Sequence, residues 1–87
     1  MLHLIFAQDG LNRIKSVLRP HDMVVQVSKD RIFLLDTHKY LKRIQALTSK
    51  ERNAQENIKA TASEGKTINH NQLASIIAQA TAIKTIS

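Results

Sequence analysis

The chain alternates between short solid apolar runs and spaced apolar stripes. Residues 2–7 (Leu-His-Leu-Ile-Phe-Ala) form an apolar run of strand length. Its β-branched and aromatic content predicts a buried strand. Asp9-Gly10 then punctuates the chain, and Asp9 is a candidate N-cap, because its carboxylate can accept from free amide hydrogens of the next turn. Leu11, Ile14, Val17 and Leu18 follow at i, i+3, i+6 and i+7, which predicts a helix over 11–19 with Arg13, Lys15 and Arg19 off the apolar face. Pro20 lacks an amide hydrogen and restricts Arg19, so the helix is expected to stop there. Met23-Val24-Val25-Gln26-Val27 is the clearest strand. Strand, helix, strand in that order predicts a parallel βαβ unit with a right-handed crossover.

The middle of the chain supports two readings. Arg31-Ile32-Phe33-Leu34-Leu35 is either a strand paired with 23–27 as a hairpin or the start of a short helix. Tyr40, Leu41, Ile44 and Leu47 sit at i, i+1, i+4 and i+7, favouring a helix that begins after Thr37. Residues 49–66 are polar, with a thin stripe of Ala54, Ile58 and Ala62 that predicts a surface helix over about 50–58 and a loop over 60–66. Thr67-Ile68-Asn69 reads as a brief strand end. Asn69 with Gln72 has the spacing of a capping box, and Leu73, Ile76, Ile77 and Ala80 predict an amphipathic helix over 70–81. Residues 82–86 alternate and read as an edge strand guarded by Lys84. No internal repeat or linker interrupts this order, so residues 1–87 are expected to form one domain.

Composition narrows the class. Hydrophobic residues make up 43% of the 87, but aromatics only 3%, namely Phe6, Phe33 and Tyr40. The core must therefore be aliphatic. A chain this short buries only about 60% of its unfolded surface, so an exposed apolar face and association with itself or a partner are expected. There is no cysteine. That excludes a disulfide scaffold, a cysteine zinc site and a thiol nucleophile on this chain. The net charge of +6 and pI near 10.1 admit an acidic partner. Between 29 and 52 there are seven basic residues (29, 31, 39, 42, 43, 50, 52) against three acidic (30, 36, 51), yet nowhere do five basic residues run together, and an ordinary solvated mixed surface is the plainer reading of them. No apolar run approaches the roughly 20 residues of a membrane span. The opening Met1-Leu2-His3-Leu4-Ile5-Phe6 has no basic region and too short an apolar run for a signal peptide, so a cytoplasmic location is expected.

Little in the chain suggests chemistry of its own. His3, His21, His38 and His70 show no His-x-x-x-His spacing, so no metal site is expected. His3 reads either as a hydrogen-bonded neutral histidine in a buried strand or as a functional group. None of the serines sits in a Gly-x-Ser-x-Gly elbow, and two glycines, Gly10 and Gly65, do not make a phosphate loop. An independent enzyme and a bound cofactor are therefore not expected. Ser28-Lys29-Asp30-Arg31 follows the second strand, where ligands and partners gather in open α/β sheets. This cluster is a candidate contact for an anion or a neighbouring subunit, or else an ordinary solvated turn. Three aromatics are too few for a base-stacking platform, which leaves phosphate contacts by Lys and Arg as the open route to nucleic acid.

Several cues fall in a fixed order along the chain: Met1-Leu2-His3, the helix over 11–19, the strand over 23–27, Asp30, a hydrophobic group, Tyr40-Leu41, and then Ile68-Asn69-His70-Asn71-Gln72-Leu73 with an apolar helix and a final short strand. In that order and spacing the chain resembles, over nearly its whole length, the TusB/DsrH family of small sulfur-relay subunits. The resemblance implies an α/β fold: a small open, mostly parallel sheet of four to five strands with helices on both faces, as in DsrE/DsrF/DsrH-like proteins. It also implies a helix near 30–37 and a third strand near 43–47, an order adopted here over the hairpin and helix that periodicity prefers. Family members commonly carry a Gln-Asp-Gly-Val-like stretch after the second strand. The matching run here is Ser28-Lys29-Asp30-Arg31-Ile32, with Asp30 kept and Arg31 where glycine is expected. The function implied is a non-catalytic role in a sulfur relay supporting 2-thiolation of the wobble uridine of tRNA. The implied partners are two homologous TusC/TusD-like subunits in a heterohexamer, with the sulfur-carrying cysteine on a partner and tRNA met only indirectly. The alternatives are a DsrH-like subunit in bacterial sulfur oxidation and a small basic nucleic-acid-binding module. Residues His3, Lys29, Asp30 and Arg31 are the candidates for a cleft or a partner-facing surface.

Overall fold

A computed structural model describes residues 1–46 and 60–87. Its strands are β1 (Leu2–Ile5), β2 (Met23–Val27), β3 (Ile32–Leu35), β4 (Gly65–Ile68) and β5 (Ile83–Ile86). The helices are α1 (Gly10–Ile14), α2 (Thr37–Ala46) and α3 (His70–Gln79), with a 3-10 turn at Ala62–Glu64. The five strands make one sheet in the order β4-β3-β2-β1-β5. β1 lies parallel to β2 and to β5, whereas β3 is antiparallel to both its neighbours. Four strands therefore share one direction and β3 alone runs against them, so the sheet is mixed, with two parallel and two antiparallel pairings.

Side chains of the sheet divide by the two-residue repeat into two faces. On the first, Ile5, Val24, Phe33, Leu35 and Ile86 pack with Leu11, Ile14 and Leu18 around α1 and with Tyr40 of α2. On the second, Leu2, Val25, Ile32 and Ile68 are covered by Leu73, Ile76 and Ala80 of α3. The second cover is thin. α3 leaves the β4 edge and delivers the chain to the β5 edge, so it crosses the whole sheet and meets one buried residue from each strand it passes. None of its own residues is buried.

At Gly65 the chain comes too close to β3 for any side chain. It pairs with Leu35, and a Cβ there would collide with the Leu34 carbonyl oxygen and lie 2.6 and 2.7 Å from two Phe33 ring carbons. The carbonyl belongs to the ladder and cannot retreat without breaking it. Gly65→Ala is expected to lower stability by about 2–3 kcal/mol, at the upper end of overpacking costs. Hydrogen exchange should show the loss first at the β4 amides. Unchanged protection of Lys66–Ile68 with an unchanged urea midpoint would count against this packing.

Several expectations hold: the first two strands and their parallel pairing, the capped helix near 70–81, and the final edge strand. The capping box is complete, with Gln72 N–H donating to Asn69 Oδ1 at 2.8 Å and Asn69 N–H donating to Gln72 Oε1 at 2.9 Å. Others do not. The helix near 30–37 and the strand near 43–46 taken from the family order are replaced by the β2–β3 hairpin and by α2, as periodicity preferred; residue 47 lies outside the described residues. Here the β-rich run 32–35 gains a ladder on both edges, from β2 and β4, which no isolated helical turn matches. The loop expected over 60–66 instead holds the 3-10 turn and the start of β4. The helix expected over 11–19 ends at Ile14, where Val17 N–H turns back to the Ile14 carbonyl three residues earlier and leaves Val17 exposed. Asp9 occupies the N-cap position, but its carboxylate makes no cap bond. It takes the Arg13 guanidinium at 2.7 Å instead, and this bond holds its carboxyl below the ordinary range. The surface helix expected over 50–58 lies outside the described residues.

Candidate functional site

Because β1, β2, β4 and β5 run the same way, their carboxyl ends meet at one end of the molecule. A cleft of about 580 Å³ opens there on the first face, lined by Ile5 at the end of β1, Phe6, Ala7 and Gln8 after it, Gln26 and Val27 of β2, the turn 28–31, and Phe33. That volume falls within the roughly 300–1,000 Å³ usual for ligand sites. The fold explains the opening. α1 has only five residues and α2 covers the opposite end of the face, so neither reaches over this corner.

The floor and walls follow from register. Ile5, Gln26 and Phe33 form one cross-strand row on β1, β2 and β3. Gln26 is the single polar residue of β2 and lies between two apolar neighbours. The turn beyond it is closed twice, by Ser28 N–H and Ser28 Oγ–H, each donating to the Arg31 carbonyl at 3.0 Å. The Arg31 guanidinium stands over the Phe33 ring, 5.3 Å from its centroid. Such a cation–ring contact keeps the long side chain oriented while leaving its donors available. A smaller cleft of about 220 Å³ lies on the other side of the same turn, toward Thr67, Ile68 and His70.

Of the four candidate residues, Lys29, Asp30 and Arg31 come together in this cleft and His3 does not. His3 sits near the amino ends of the strands, beside Val24 and Lys84, with only 5% of its side chain exposed. Its Nε2 lies 3.2 Å from Asp22 Oδ2. Burial opposes charge on Asp22, but hydrogen bonds from the Arg19 amide, His3 and the amino terminus outweigh it and keep the carboxyl below its ordinary value. The backbone carbonyl of Asp22 also accepts from the Thr37 hydroxyl at 2.7 Å, joining this corner to α2. His3 therefore fastens the amino-terminal strand to the loop before β2 through Nε2, while its Nδ1 is buried with no hydrogen-bond partner among the described residues, and it lies outside the cleft.

Phe6, Gln8, Gln26 and Phe33 were not among the candidates. The sequence held a signal for one of them: a glutamine interrupting a valine run in a strand buried on both sides. Phe6 falls in the run expected to be a buried strand, yet it is 51% exposed. Among the described residues no three His, Asp or Glu side chains converge as a metal site would require. None of the described helices is long and apolar enough to cross a membrane.

The class these features define is a small α/β domain with a mixed polar and aromatic cleft at the carboxyl end of its sheet. Comparison with protein families, with curated proteins and with solved structures finds no match to this chain.

Proposed function

We propose that this chain is a non-catalytic subunit of a sulfur-relay complex that supports 2-thiolation of the wobble uridine of tRNA, working beside two homologous TusC/TusD-like subunits. The observation that carries the reading is the order of sequence cues toward the two ends of the chain, Met1-Leu2-His3 with the segments up to residue 27, and Ile68-Asn69-His70-Asn71-Gln72-Leu73 with the segments that follow. The two ends of the fold lend it support. β1-α1-β2 is a parallel unit, and β4-α3-β5 returns over the opposite face to place β5 beside β1. The β2–β3 hairpin departs from the family order, so the support comes from these ends and not from the middle.

Two further features agree with an accessory role. A chain without a thiolate cannot carry a persulfide, so in this reading the sulfur-handling groups belong to the partners. Met1, Val17, Met23 and Ile83 are exposed apolar side chains, and α3 covers its face without burying any of its own residues. A small aliphatic domain with this much uncovered apolar surface gains stability from neighbours.

Deleting the gene in the native host tests the proposal. Nucleoside mass spectrometry is expected to show wobble 2-thiouridine falling to background, and a pull-down is expected to recover two cysteine-bearing homologues. Thiouridine at wild-type levels in the deletion strain rejects the proposal.

A further inference from the structure

The fold gathers groups that are far apart in sequence and that the sulfur-relay reading leaves unused. Both phenylalanines of the chain line the carboxyl-end cleft, although aromatics are only 3% of the residues. Lys29 and Arg31 line it too, and neither makes an ion pair among the described residues, Asp30 included. An exposed phenyl ring, an arginine stacked on a second ring, a central amide and an unpaired lysine are what a ligand with a flat ring and a negative group requires.

We propose that this cleft binds a nucleotide unit, with the base held between Phe6 and the Arg31–Phe33 stack and the phosphate met by Lys29 and Arg31. Placement supports the arrangement: Phe6 follows β1, Phe33 lies on β3 with the Arg31 guanidinium over its ring, and all three line the same cleft. Gln26, on the strand between them, offers an amide donor and an acceptor, the complement of a base edge. Arginine planes and phenyl rings are both stacking surfaces for bases. The expectation that three aromatics are too few for stacking assumed a spread platform; one base needs only the two surfaces that the cleft brings together.

The same chemistry has two sources, a free nucleotide or one residue of a single-stranded RNA, and one titration separates them. The full chain is titrated at low salt with uridine monophosphate, an eight-residue oligouridylate, inorganic phosphate and an oligoglutamate peptide, following amide shifts by NMR. Both nucleotide probes are expected to shift residues 6–8 and 26–31. Tighter binding of the oligomer assigns the site to an RNA strand, and equal affinity per site assigns it to a free nucleotide. Phe6→Ala should weaken binding at least about fivefold, the lower range for losing one stacked base. Combined Lys29→Ala and Arg31→Ala should weaken it further and flatten its salt dependence. All three side chains are exposed, so the variants should keep the wild-type circular dichroism spectrum. The proposal is overturned by the absence of shifts at millimolar nucleotide, by phosphate alone binding as well as the monophosphate, by Phe6→Ala binding within twofold of wild type, or by the acidic peptide displacing the nucleotide. It does not rest on the sulfur-relay reading: loss of thiouridine on deletion leaves this result open to either sign.

Discussion

Tyr40→Ala should unfold this domain at a temperature roughly 15–30 °C below wild type. Tyr40 is fully buried and lies at the junction of α2 with the first face of the sheet, in one cluster with residues from β1, β2, β3, β5 and α1. Removing a large buried ring costs about 3–5 kcal/mol, because transfer energy is lost and a cavity remains. In a domain of this size each kcal/mol shifts the midpoint by about 4–8 °C. A small domain holds only about 5–15 kcal/mol in total, so the variant sits near the limit of folding. Differential scanning calorimetry reads the effect, and a shift under 5 °C would show that the cluster tolerates the loss. Burial also pushes the Tyr40 hydroxyl up to about 12. Its folded value lies above the ordinary 10, so its contribution to stability is intact below pH 10 and is lost as pH rises toward 12. As Tyr40 is the only tyrosine, ultraviolet absorbance follows its ionisation without interference.

Replacing Glu64 by Gln is expected to cost about 2–3 kcal/mol near neutral pH, somewhat under the 3–5 kcal/mol of a fully buried broken pair, because Arg43 reaches solvent. Glu64 is buried, accepts from Arg43 Nε at 2.7 Å and from Thr61 N–H at 2.8 Å, and so ties α2 to the turn that launches β4. Burial works against its charge, yet the bonds from Arg43 and Thr61 prevail and hold the carboxyl below its ordinary value. A lowered carboxylate contributes its stability above the unfolded value and loses it as pH falls through the folded one. The difference between wild type and Glu64→Gln should therefore narrow in acid. Urea titrations at pH 7 and pH 3.5 measure it, and a gap that stays constant or widens on acidification contradicts this account of the pair.

Glu64 also illustrates why part of the architecture could not be read along the chain. It lies in a polar stretch that looks like a loop, and only the approach of Arg43 from α2 gives its charge a buried partner. Asp22 and His3 behave alike, nineteen residues apart and joined only when β1 pairs with β2. The hairpin is a closer case. Periodicity over 31–35 and 40–47 pointed to strand then helix, and the family order displaced that reading; the ladders to β2 and β4 restore it.

Where one residue's neighbours in sequence are also its partners in space, local pattern was enough. The valine run of β2, the Asn69–Gln72 box with the helix it opens, and the alternation of β5 under Lys84 all rest on contacts within a few residues. The lack of any thiol was likewise legible at once. Packing alone settled the rest. Strand direction and order place Phe6, Gln26, Lys29, Arg31 and Phe33 around one cleft, while His3 is drawn to the other end by Asp22. The physical reason is that a strand's pairing partner is chosen by long-range burial of its two faces, a choice that periodicity along a single segment does not contain.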